Sequence, residues 1–262
     1  MRRDWQNARQ VSQRNRQIFG TAAALALLAL AATAARSADA EWLDVEGRVQ
    51  YGYYTEDLRE LQNLTASLAT AGAADTLRQY YLGLAHYRLA QLTAARDRSR
   101  ARDSAAHCVS SLEEALQARA DFADGLALHA ACLRLRAELE SLPTPIANSR
   151  SRSDLHKALA LEPHNPRVLL IDAVSDYERA SSAPDRAHAL GKLQQAVAAF
   201  ETERGREEHA PHWGAAEAYA ALGRGYLDKG DAIAARGALE HALLLVPDFA
   251  YAHRLMARIV SG

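Results

Sequence analysis

Few residues in this chain stand at spacings that chemistry requires. The nearest approach to a metal site is His209-Ala-Pro-His212, with Glu207 and Glu208 beside it. Two histidines and a carboxylate suit zinc, but Pro211 breaks any shared helical face, and the segment reads as an exposed charged loop. Neither a metal nor a cofactor is expected. No nucleophile elbow, phosphate loop, dinucleotide fingerprint or paired-cysteine zinc pattern occurs in the 262 residues, so no enzyme is expected. Cys108 lies about 13 residues before a turn near Asp121 and Cys132 about 11 after it. Antiparallel helices would bring the two level, either as a disulfide in an oxidising compartment or as two buried thiols. Tyr80, Tyr81 and Tyr87 stand at helical spacing, which fits a binding groove or a core.

The elements that must position these residues are helices throughout. Within Ala216–Gly262, Tyr219, Leu222, Gly223 and Tyr226 mark one helix, Gly230-Asp231 breaks it, Ala235, Leu239 and Ala242 start a second, and Pro247 ends that. Upstream, a short helix with Trp42, Val45 and Val49 on one side leads to Thr55 as an expected N-cap, then a stripe of Leu58, Leu61, Leu64 and Leu68 ended by Ala71-Gly72-Ala73. Asn165-Pro166 opens another helix with an N-cap and an N1 proline. Two polar stretches, Arg96–Ser104 and Ser141–Ser153, read as insertions within helix pairs. Their six arginines, Arg96, Arg98, Arg100, Arg102, Arg150 and Arg152, are expected along one edge, with anionic lipid or an acidic partner as targets. No stretch alternates like a strand.

The N-terminus differs in kind. Arg2, Arg3, Arg9, Arg14 and Arg16 precede an Ala/Leu-rich run of about 15 residues, short of the roughly 20 that a membrane span needs, and Ala38-Asp39-Ala40 offers a cleavage site. Residues 1–40 are therefore expected to be a signal peptide, with an uncleaved inner-membrane anchor as the alternative, and 41–262 the mature domain of a periplasmic protein. Without the six arginines and two aspartates of the leader, 25 basic and 30 acidic residues remain, a net charge of −5, which disfavours nucleic acid as a partner.

The helix pairs also repeat. Gly223 recurs as Ala257, Leu222 as Met256 and Tyr219 as His253, a period of about 34 residues. With small residues at Gly83, Ala130, Ala173, Gly223 and Ala257, the chain resembles the tetratricopeptide repeat (TPR) family, and bacterial secreted members in particular. The resemblance covers roughly residues 75–262 and implies an all-α fold: a TPR-like α-solenoid of four to five helix-turn-helix repeats with a capping last helix. It also implies a concave groove made by the first helix of each pair. Projected onto this sequence, that groove comprises Tyr80, Leu84, Tyr87, Arg134, Arg167, Tyr177, Arg224, Arg254 and Arg258, a surface suited to an extended peptide bearing carboxylates. The implied function is a non-enzymatic adaptor for a protein or peptide partner in the cell envelope. The alternative is a permanent structural subunit of an envelope assembly, transport or secretion complex. Membrane contact through the N-terminal segment or the arginine-rich edge fits either.

Overall fold

A computed structural model of the chain describes residues 42–70, 75–140, 145–204 and 210–261. It divides into Met1–Asp44, of which only 42–44 are described, and Val45–Gly262, to which everything below refers. The expected leader and its cleavage site, Ala71-Gly72-Ala73, and Glu207, Glu208 and His209 all lie outside the described residues.

Among the described residues there are eleven helices and no strand. They are α1 (residues 42–54), α2 (Leu58–Thr70), α3 (Thr76–Thr93), α4 (Arg98–Ala118), α5 (Ala123–Leu139), α6 (Pro145–Leu161), α7 (Pro166–Arg179), α8 (Ala183–Thr202), α9 (Ala215–Lys229), α10 (Ala232–Leu245) and α11 (Ala250–Ser261). The pairs α3/α4, α5/α6, α7/α8 and α9/α10 are helical hairpins, and α11 packs on both members of the last one. First helices also touch first helices, α3 on α5, α5 on α7 and α9 on α11, which is the stacking of a solenoid. None of these helices is long and apolar enough to cross a membrane.

Local chemistry sets the boundaries. The side chains of Asp75, Asp97, Asn165, Ser182 and Asp231 each accept from a backbone N–H in the first turn of the helix that follows. Asp57, rather than Thr55, caps α2: its Oδ1 accepts from the N–H groups of Arg59 and Glu60. Thr55 instead closes α1, its hydroxyl donating to the Tyr51 carbonyl, and Glu56 reverses the chain at φ 58°.

Over their described residues, the two polar stretches belong to helices α4 and α6 and are not loops between paired helices. Asp97 starts α4 eight residues before Ala105, and the buried Ala101 and Ser104 simply continue the Ala105–Cys108 stripe. Residues 145–153 likewise open α6 instead of preceding it. Two of the six arginines there act on neighbouring helices. Arg98 donates to the carbonyls of Glu138 and Leu139 at the end of α5, and Arg150 pairs with Glu113 of α4. Cys108 of α4 and Cys132 of α5 are joined in a disulfide, their Cα atoms 6.0 Å apart, so it ties one hairpin to the next.

Close helix crossing within the hairpins depends on missing side chains. A Cβ on Gly223 would stand 2.7 Å from Leu239 Cγ, itself fully buried, and Gly83 meets Leu112 in the same way. Gly237, in the middle of α10, faces open space. Gly223→Ala is therefore expected to destabilise the fold by about 1–3 kcal/mol through overpacking, whereas Gly237→Ala is expected to stabilise it by roughly 0.5–1 kcal/mol. Urea unfolding of both variants checks this, and equal effects would contradict the crossing geometry.

Candidate functional site

The polar connector between α8 and α9 determines what reaches the concave side of the solenoid. Gly214 adopts φ 118°, a left-handed conformation that a side chain would strain, and lies directly on the Phe200 ring. This turn carries Trp213 into the interior, where its Nε1–H donates to the Tyr80 hydroxyl of α3 at 2.8 Å. Arg167 of α7, wholly buried, donates to the Trp213 carbonyl and pairs with Glu203 and Asp124. One buried guanidinium thereby finds its acceptors on three other segments.

The same connector receives the first helix. Glu46 of α1 accepts from the His212 N–H at 3.0 Å and from the Tyr81 hydroxyl at 2.8 Å, and burial raises its carboxyl above the usual range against the pull of these two donors. Four residues further on, Gln50 donates to Glu217 of α9, and Tyr54 donates to it at 2.7 Å. Burial pushes the Tyr54 phenol far above its ordinary pKa, so it is a donor at any physiological pH. The Tyr54 ring packs edge-on against Phe249, 4.7 Å between centroids. The start of the solenoid is therefore docked onto its final hairpin and cap.

Closure of this kind turns a groove into a cavity of about 290 Å³, bounded by the first helices α3, α5, α7 and α9, by Tyr53 and Trp213, and by Phe249 and α11. Its floor is buried and its mouth is wet. At the floor, Arg88 is 3% exposed, pairs with Glu217, and lies 3.9 Å over the Tyr53 ring with Trp213 and Tyr87 beside it. Burial opposes its charge, but Glu217 and the phenol groups outweigh that and raise its pKa. Arg134 pairs with Glu138 and Glu178 and is held charged in the same way by Tyr87 and the two carboxylates. At the mouth stand Tyr177, Tyr251, Arg224 (41% exposed) and Arg254 (57%), the last paired with Glu56. Leu170, Ile171, Val174 and Ala221 complete an apolar wall.

Five of the nine residues projected onto a groove line this cavity: Tyr87, Arg134, Tyr177, Arg224 and Arg254. Arg258 stands outside it, 3.8 Å from Asp228. Tyr80, Leu84 and Arg167 are corrections, being fully buried core and not groove. In an open solenoid these positions would face solvent; here Trp213 of the connector meets Tyr80 and Arg167. Tyr53, Arg88, Trp213 and Glu217 escape a projection based on repeat position because they meet across 129 residues or more of sequence, or stand outside the paired helices. The only hint was composition: a Trp-Gly pair in a polar connector. Among the described residues no group of three or more His, Cys, Asp or Glu stands close enough to hold a metal ion.

Among solved structures the chain is similar to a thermophilic TPR protein of Thermus thermophilus, at 14% identity and a TM-score of 0.52, over 86% of this chain and 100% of that one. It is similar also to the HusA haemophore of Porphyromonas gingivalis, at 20% identity and a TM-score of 0.54, over 70% of this chain and 92% of that one. The fold is TPR-like. At such identities the fold alone is shared. No family model and no curated protein matches the chain. The closure of this TPR-like solenoid around its concave cavity rests on Glu217. Glu217→Gln is expected to cost about 3–5 kcal/mol, because it strands the buried Arg88 charge. Glu60→Gln, which breaks the half-exposed Arg48–Glu60 pair, is expected to cost about 0–1 kcal/mol. Similar losses in chemical denaturation of the two variants would contradict the closure.

Proposed function

We propose that the chain is a non-enzymatic adaptor, exported to the periplasm, that captures an extended, carboxylate-bearing segment of a partner protein at the mouth of its central cavity. The observation that carries this reading is the pairing of tyrosines with arginines there: Arg224 lies 5.5 Å from the Tyr177 ring centroid and Arg254 5.9 Å from that of Tyr251. Planar guanidinium groups give bidentate contacts to carboxylates, and the rings beside them supply apolar area at small entropic cost. Export is supported by the basic, then apolar, then small-residue order of residues 1–40, and by a disulfide, which persists in oxidising compartments. The mature domain is then 41–262. One neighbour of the same fold is named a haemophore, so ligand capture is within reach of this architecture.

A second reading, a permanent subunit of an envelope complex, is favoured by one observation. Ile233 and Leu244 of α10 and Val260 of α11, at the far end of the solenoid, are at least 78% exposed. A subunit purified alone would self-associate through them, whereas an adaptor stays monomeric in sedimentation.

Fluorescence anisotropy with labelled extended peptides tests the first reading. Acidic peptides are expected to bind residues 41–262 with strong salt dependence, and Arg224→Ala combined with Arg254→Ala to weaken them about tenfold or more, the scale of one or two charge-assisted contacts. Acidic and neutral peptides bound equally well, or a double variant of unchanged affinity, would reject it.

A further inference from the structure

Below the rim arginines, the surface that the cavity leaves open to an occupant is largely made of rings and aliphatic side chains. Six of the lining residues are aromatic, more than a quarter of them, in a chain that is 6% aromatic. Three of the six, Tyr53, Tyr177 and Tyr251, are partly exposed, and so are the aliphatic Leu92, Val174 and Ala221. Such walls favour another ring, because offset and edge-on contacts between rings add to the burial of apolar area.

The charges at the floor argue for an uncharged occupant. Arg88 pairs with Glu217, and Arg134 pairs with Glu138 and Glu178. These groups already answer one another, so an ion brought into the chamber loses its water without gaining a free counterion. Size narrows the occupant further. An apolar cavity of roughly 150 Å³ holds one benzene ring, and the chamber here is about 290 Å³, room for two fused rings. Position then favours a side chain over a free molecule, since the arginines of the mouth and the inner tyrosines line one continuous cavity. The chain itself uses such an arrangement once: the non-helical residues 211–214 deliver the indole of Trp213 to the same concave side.

We propose that the chamber is an anchor pocket for an uncharged aromatic side chain of the captured segment, up to the size of an indole, seated on Tyr53, Tyr177 and Tyr251 and on the aliphatic Leu92, Val174 and Ala221. The proposal rests on the adaptor reading and adds to it the residue type by which a partner is selected.

The test is fluorescence anisotropy of the disulfide-intact protein with three labelled acidic peptides that differ only in a central tryptophan, leucine or alanine. The tryptophan peptide is expected to bind at least about tenfold more tightly than the alanine peptide, and more tightly than the leucine one. Val174→Trp, at a half-buried position on the wall, fills the chamber and is expected to lower the tryptophan peptide to the affinity of the alanine peptide, which itself stays unchanged, as does the circular dichroism. Ala221→Leu, on the facing helix α9, is a smaller change for the same purpose and is expected to reduce the preference in the same direction. Equal affinity for the three peptides in the wild-type protein overturns the anchor and leaves the adaptor reading standing, and an undiminished tryptophan preference in a folded Val174→Trp protein also overturns the anchor. Failure of all three peptides to bind overturns both.

Discussion

A guanidinium taken out of water must be paired, and the carboxylate that pairs Arg88 of α3 is Glu217 of α9, 129 residues away. That one requirement organises the molecule. Glu217 also collects Gln50 and Tyr54 from α1, so satisfying Arg88 brings together the beginning, the middle and the end of the solenoid. The Trp213 turn supports the arrangement from the other side, through Tyr80 and Arg167. A repeat stack held only by neighbour contacts has free ends that fray. Here the ends are joined, and the concave side becomes an interior.

The repeats themselves were legible from the sequence because they are local. Gly223 at a crossing, Gly230-Asp231 at a break and Asn165-Pro166 at a start are each set by backbone geometry within a few residues. Arg96–Ser104 misled for a local reason too. Its arginines and aspartates dominate the composition, while the residues that report the helix, Ala101 and Ser104, are too small to stand out as a hydrophobic stripe. Thr55 and Asp57 are both good caps, and only the reversal at Glu56 decides between them.

The cavity was legible only in part, because period and position say which face of a helix is concave but not what covers it. Tyr87, Arg134, Tyr177, Arg224 and Arg254 keep the concave positions that a TPR-like register assigns. Tyr80, Leu84 and Arg167 are fully buried, and Trp213 meets Tyr80 and Arg167 in contacts that no periodicity encodes. The result is a gradient from partly exposed arginines and tyrosines at the mouth to buried charges at the floor. An open groove would offer one kind of surface along its length; this cavity has a half-exposed rim and a buried floor.

Native-state hydrogen exchange of the α1 amides, residues 47–54, tests the ring closure most directly. A terminal helix in an open solenoid exchanges by local fraying, with little protection and no dependence on distant residues. Closure through Glu217 predicts that these amides open only with the global unfolding of the domain, at the same free energy as those of α9, and that Glu217→Gln releases them selectively. Fast exchange of α1 in the wild-type protein, at protection far below that of α9, would contradict the closed ring.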